Sequence, residues 1–154
     1  MANAIPEKFS TPTAFTITVA NLASSTVGVG QQSTLITNTQ GYKRIYAYIM
    51  LKLGSTTPTG NRFAYVYAIR GDGTTRDDGA GASDASWTRL NADEVRTIGN
   101  KASPAAGDLI YGVAVIENPG PEWGIGIVHD TGVNLDSTGG NHYLYWVGVY
   151  PEVQ

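Results

Sequence analysis

Two histidines stand where apolar runs end and begin. His129 closes the run from Trp123 and is followed by Asp130, while His142 opens the run Tyr143–Tyr150. An imidazole beside a carboxylate is the pairing a general base and its orienting acid would use. Adjacent residues on a strand point to opposite faces, so Asp130 can orient its neighbour's ring only where the chain turns. No G-x-S-x-G elbow or other activated nucleophile accompanies the pair. The absence of Cys removes thiol nucleophiles, disulfides and thiolate metal sites together. These residues are therefore read as solvated strand ends, and the chain as a non-enzyme with no cofactor.

The segment 70–86 (RGDGTTRDDGAGASDAS) gathers Asp72, Asp77, Asp78 and Asp84 among four glycines. Carboxylates on a bendable backbone could offer the oxygen ligands of Ca²⁺, but the EF-hand spacing is absent. Asp-Gly pairs also supply positive φ and bond their own backbone, so a metal-free turn region is expected. Arg70-Gly71-Asp72 matches an integrin-binding tripeptide, a coincidence that three residues produce too easily to support a claim. Gly124 and Gly126 alternate with Trp123, Ile125 and Ile127, and Gly112 and Gly148 repeat the device. Such glycines mark close approach by another backbone or a large ring, from within the chain or from a second subunit. Trp87, Trp123, Trp146 and nine Tyr could form a stacking platform for sugar rings, or pack internally. No Lys/Arg cluster interleaves with them, which argues against nucleic acid.

The elements that must position these residues follow a period of two. Arg44–Leu53 puts Ile45, Ala47, Ile49, Leu51 and Leu53 on one face and Arg44, Tyr46, Tyr48, Met50 and Lys52 on the other, a half-buried strand with an aromatic second face. In Arg62–Arg70, Phe63, Tyr65, Tyr67 and Ile69 alternate with Ala64, Val66 and Ala68, so both faces are apolar and the strand is central. The segment 55–61 between these runs reads as a hairpin connection. Leu109–Ile116, Trp123–His129 and Tyr143–Tyr150 are further strands, with weaker ones at Ala14–Leu22 and Ser33–Asn38. Asn91 as cap, Glu94 at the third helical position and a Leu90–Val95 staple allow about two turns of helix before Gly99, and a short strand Val95–Ile98 fits as well.

Gly 19 and Pro 7 make up about 17% of the 154 residues and charged residues only 15%, which disfavours bundles, coiled coils and charge-rich disorder. The chain has the length of one domain. No signal-type segment and no apolar stretch of about 18 residues is present, so no membrane association is expected. The expected fold is an all-β antiparallel β-sandwich of jelly-roll type with about eight strands over residues 14–154. Residues 1–13 precede it as an extended arm whose Ile5, Pro6, Phe9 and Pro12 are candidates for subunit contact. The expected core comprises Ile45, Ile49, Leu51, Tyr65, Tyr67, Val113, Val115, Ile125, Ile127, Val147 and Val149.

Charge divides unevenly, with six Lys/Arg and one Glu in residues 1–70 against four Lys/Arg and twelve Asp/Glu in residues 71–154. If the asymmetry survived folding it would suit head-to-tail or ring association. Val29–Thr34 (VGQQST), Leu53–Asn61 (LGSTTPTGN), Tyr67–Gly73 (YAIRGDG) with Asp78–Asp84 (DGAGASD), Asn118–Ile125 (NPGPEWGI) and Val147–Gln154 (VGVYPEVQ) resemble segments of a group of small structural proteins of tailed bacteriophages. The resemblance runs from about residue 25 to the end. It implies a virion structural protein, a head decoration or cement subunit assembled in the bacterial host cytoplasm and carried on the capsid surface. The implied partners are the major capsid protein and copies of the chain itself, as a homotrimer, with no catalytic residues to carry over. A carbohydrate- or receptor-binding module of a tail or fibre is the alternative.

Overall fold

The computed structural model describes residues 5–25, 28–59, 63–81 and 83–152. The first four residues of the arm, Gly60 and Asn61 of the expected hairpin connection, Arg62, Ala82, and Val153 and Gln154 lie outside the described residues. Eleven strands are described: β1 (Glu7–Phe9), β2 (Thr13–Ala14), β3 (Val29–Gln32), β4 (Ile36–Thr37), β5 (Arg44–Lys52), β6 (Phe63–Gly71), β7 (Ala85–Ser86), β8 (Asp93–Gly99), β9 (Leu109–Glu117), β10 (Glu122–His129) and β11 (Tyr143–Pro151). They form two antiparallel sheets packed as a β-sandwich. The first sheet has the order β1-β11-β5-β9, with β2 also on β11, and the second has β7-β3-β10-β6-β8, with β4 also on β10.

β1 and β2 pair with successive stretches of β11, and β3 and β4 with successive stretches of β10. Each pair acts as one interrupted strand. With β7 set aside as a short edge piece, eight principal strands remain, and in chain order the sheets read 1-8-3-6 and 2-7-4-5.

Between the sheets the core takes Ile45, Ala47, Ile49 and Leu51 from β5, Ala64, Val66 and Ala68 from β6, Trp123, Ile125 and Ile127 from β10, and Leu144 and Trp146 from β11. β9 reverses the expected face. Ile110, Ala114 and Ile116 point inward, leaving Val113 half-exposed and Val115 exposed. Both faces of β9 are apolar, so alternation alone cannot orient it. The space decides: an added Cβ on Gly112 would stand 2.8 Å from Ile98 of the opposite sheet, so only a strand with a bare middle fits there. Tyr65 and Tyr67 likewise lie outside the inter-sheet core, on the outer face of the second sheet. Val147 and Val149 are buried, but on the outer face of the first sheet.

Of the helix and the short strand that the sequence allowed before Gly99, the strand is the one that forms, and it is longer than the expected Val95–Ile98. β8 pairs with β6 across a bulge, Ile98 enters the core, and Leu90 is exposed and staples nothing. One 3₁₀ turn, Gly139–Asn141, is the single helical element among the described residues. Of the run Ala14–Leu22 only Ala14 is in a strand. The rest is irregular and sends Phe15, Val19 and Leu22 into the core. The weak strand near Ser33–Asn38 begins earlier, as β3, and resumes briefly as β4.

Candidate functional site

His129 is not a solvated strand end: none of its surface is exposed. It sits on the inward face of β10. Its Nε2–H donates to the Leu22 carbonyl at 2.9 Å, and its Nδ1 lies 3.0 Å from the Thr131 hydroxyl, itself 3.0 Å from the Val133 carbonyl. Burial pushes its pKa below the ordinary histidine value, against the Leu22 bond and the Asp130 charge, which raise it. The ring therefore stays neutral and ties two loops to the strand end. Asp130 points elsewhere, accepting from the Phe63 N–H at 3.2 Å and the Tyr65 hydroxyl at 3.1 Å. Burial first, and then this carboxylate, raise the Tyr65 pKa. His142 is fixed in the same manner, its Nδ1 accepting from the Lys52 N–H and its Nε2–H donating to the Asp136 carbonyl. Both nitrogens of each imidazole are thus engaged by neighbouring backbone or hydroxyl groups.

The four loop carboxylates are committed to the backbone and side chains around them. Asp72 accepts from the Thr74 and Thr75 N–H groups, which hold its pKa below the usual carboxylate value. Asp77 accepts from Arg70 N–H and Asp84 from the Gln31 amide. Asp78 takes Leu90 N–H at 2.8 Å, Asn91 N–H at 2.6 Å and Trp87 Nε1–H at 3.3 Å. Burial pushes the Asp78 pKa up, but the two backbone donors outweigh it and leave it lowered. Among the described residues no group of three or more His, Asp or Glu is placed to hold a metal ion. Arg70 of the RGD tripeptide pairs with Asp93 and reaches the Glu117 carbonyl, so its charge is used internally.

These bonds shape the 72–92 connection into a cover for the outer face of the second sheet. Trp87, 3% exposed, lies over Gly126 and Gly30, with its ring edge-on to Tyr67 at 5.1 Å. Ala80, Trp87 and Ala92 close over Tyr65, Tyr67, Ile69 and Val128 as a second apolar cluster. The strand glycines thus meet internal partners: Gly126 takes Trp87, Gly148 takes Tyr42, Gly112 takes Ile98 and Gly124 takes Leu35 and Ser33. All three tryptophans are buried, two of them edge-on to each other between the sheets at 5.1 Å.

Among the described residues, the outer face of the first sheet carries no such cover. Direct partners across an antiparallel ladder share a face, and the register runs Val147–Tyr46–Val115, Tyr145–Tyr48–Val113 and Tyr143–Met50–Tyr111 across β11, β5 and β9. Tyr143 and Tyr145 stack at 4.1 Å, and Phe9 on β1 reaches across the level of Val149 toward Tyr46, rings 6.5 Å apart. Among the described residues, six of the nine large apolar side chains that are exposed lie here: Phe9, Tyr48, Leu109, Tyr111, Val115 and Tyr143. Tyr111 is 66% exposed and Phe9 65%. Sequence pattern alone exposed the aromatic side of β5. It missed the rest because the faces of β9 and β11 are set by what the opposite sheet needs.

Of the arm residues, Ile5 and Phe9 keep their side chains in solvent while the chain is laid along its own domain: β1 and β2 pair with β11, and Pro6 accepts from Glu152 N–H. Pro6 and Pro12 are exposed as well. The charge asymmetry folds inward, since Lys8–Glu152, Arg44–Glu117, Lys52–Asp136 and Arg70–Asp93 each join a base of the first half to an acid of the second. No helix of the described residues is long and apolar enough to cross a membrane. No family model matches the chain, and no curated protein matches it in sequence.

Proposed function

We propose that this chain is an adhesive structural subunit of a bacteriophage virion, a decoration or cement protein that binds the capsid surface and stabilises the shell. The observation that carries the proposal is the uneven treatment of the two outer faces: the chain covers one with its own loop and leaves the other bare, apolar and rich in tyrosine. An uncovered patch of this kind marks an interaction surface. Ile5 and Phe9 extend it along one edge. The strand orders 1-8-3-6 and 2-7-4-5 are read here as those of a jelly roll, an architecture that viral capsid proteins use, and this support is by fold analogy. The resemblance of the Gly- and Pro-rich segments to phage structural proteins points the same way. Each contact of such a subunit is weak, and several together on one shell add through effective concentration.

Purified chain is expected to bind expanded shells and raise their rupture temperature, and the variant with Ile5→Glu and Phe9→Glu, both side chains being exposed, to bind less well while still folding. Shells that neither bind the chain nor gain heat resistance overturn the proposal. The stacked Tyr143–Tyr145 pair favours a second reading, a glycan-binding tail module. Saccharide binding by the isolated chain, lost in Tyr143→Ala, and a few copies at the tail would establish it instead.

A further inference from the structure

The bare face poses the question of what lies on it, and we infer that a second copy of this chain does, in a two-fold, face-to-face pair. This deepens the adhesive reading of that face and holds whatever the larger assembly is.

Size is the first reason. β5, β9 and β11 are nine residues long each, β5 pairing with β9 over nine residues and with β11 over seven. At about 3.3 Å per residue and 4.8 Å per strand, with β1 alongside, the face is roughly 30 Å by 15–19 Å. Two copies would then bury roughly 900–1,150 Å², near the ~1,000 Å² at which a specific interface becomes sustainable and below the ~1,600 Å² standard. That predicts a reversible pair.

Charge is the second. The ionic groups of the face stand toward its ends and edge: Arg44 pairs with Glu117 and Lys52 with Asp136, while Glu7, exposed on β1 two residues before Phe9, makes no ion pair among the described residues. Like can therefore stack on like with one unanswered charge per copy, Glu7 at the β1 edge, whereas a strongly basic or acidic partner would find little across the rest of the face to answer it. Tyrosine suits such a place, because its ring is apolar and its hydroxyl can stay wet.

Symmetry is the third. One self-complementary patch closes as a two-fold pair, while a threefold ring needs two different patches that fit each other. Two sheets stacked about 10 Å apart with strands inclined by about 30° would repeat across the interface the packing found inside the sandwich. The pair would carry an Ile5–Phe9 edge on each copy and so present two arms to one shell.

Sedimentation velocity on the purified full chain tests the inference. A reversible monomer–dimer transition is expected within the micromolar range. Tyr111→Glu with Val115→Lys should raise its midpoint at least about tenfold, equivalent to about 1.4 kcal/mol. Leu90→Glu, on the covering loop of the other sheet, should leave it unchanged. Should the double variant fail to fold, hydroxyl-radical footprinting of the native chain replaces it, with Tyr111 and Tyr143 protected as concentration rises. A monomer at every concentration, a trimer, a dimer dissolved by Leu90→Glu alone, or labelling of both tyrosines independent of concentration overturns the inference. A chain that pairs yet ignores shells overturns only the virion reading.

Discussion

Trp87 and Gly126 make the most direct test of how the loop and the second sheet depend on each other. A Cβ added at Gly126 would stand 2.3 and 2.5 Å from two carbons of the Trp87 ring, well inside contact distance. Gly126→Ala should therefore destabilise by about 1–3 kcal/mol, as overpacking does. This is the reverse of the ~0.5–1 kcal/mol that Ala normally gains over Gly inside a strand. Trp87→Ala removes a ring that is almost wholly buried and leaves Asp78 without one donor, which should cost about 3–5 kcal/mol. Without the ring the added methyl has room, so in the Trp87→Ala background Gly126→Ala should be neutral or regain up to ~1 kcal/mol. The coupling is then about −1 to −4 kcal/mol, covering and reaching past the upper part of the range for residues in contact. Urea unfolding followed by the fluorescence of Trp123 and Trp146, buried in the other cluster, measures all four corners of the cycle. Effects that add within about 0.5 kcal/mol would refute the claim that Trp87 is the reason for Gly126.

Three further outcomes are expected. Ile49→Ala should cost about 2–5 kcal/mol and Val113→Ala under about 1 kcal/mol, because one is fully buried between the sheets and the other half-exposed outside them; equal losses in denaturant unfolding would restore the opposite face of β9 to the core. Acidification should lower the melting temperature in two stages. His129 is held below its ordinary 6.5 by burial, so the unfolded chain binds its proton first and stability falls as pH drops below about 6.5 toward the folded-state pKa. Asp136, held at about 2 by the Asn141 amide and the Thr138 N–H, stabilises above 3.8 and loses that contribution as pH falls toward 2, together with the lowered Asp72, Asp78 and Asp108. His129→Gln should remove the first stage alone, and a first stage that persists in this variant would locate it elsewhere. Asp78→Ala should cost about 1.5–3 kcal/mol by releasing two backbone donors. Millimolar Ca²⁺ should leave the melting temperature of the native chain unchanged, and a rise of several degrees abolished by Asp77→Ala with Asp78→Ala would show that the loop binds an ion.

Where a run had one polar face, its orientation was legible in the sequence, and where both faces were apolar it was not. β5 alternates Ile, Ala, Ile and Leu with Arg, Tyr, Tyr, Met and Lys, and its inner face is the expected one. β9 has Ile110, Ala114 and Ile116 on one side and Tyr111, Val113 and Val115 on the other, and only Ile98 on a distant strand selects between them. Asn91 and Glu94 would suit a helix start, yet the open edge of β6 offered six residues of β8 a ladder and Ile98 a core seat, and tertiary pairing outweighs local propensity. The glycines announced close approach without naming the partner. Trp87 could not have been placed from its neighbours, because its seat is built from Gly30, Tyr67 and Gly126 on three different strands.

Edge strands sharpen the contrast between the two sheets. β8 closes the second sheet with Asp93, Glu94 and Arg96, the charged residues by which a soluble protein keeps an edge from pairing with a stranger. β9 closes the first sheet with nine residues of which only Glu117 is charged, and that charge already answers Arg44. A long, apolar, unguarded edge beside a bare apolar face is a hazard for a chain that must stay alone. The same chain guards β8, pairs its bases with its acids and seals its other face with Trp87, so the means of protection are present and are used elsewhere. Their absence from one contiguous side, made of β9, β5, β11 and the Ile5–Phe9 edge, is what a surface needs if burial against a neighbour supplies its stability. With the histidines and loop carboxylates spent on holding the sandwich in shape, this distribution is what supports the adhesive function we propose.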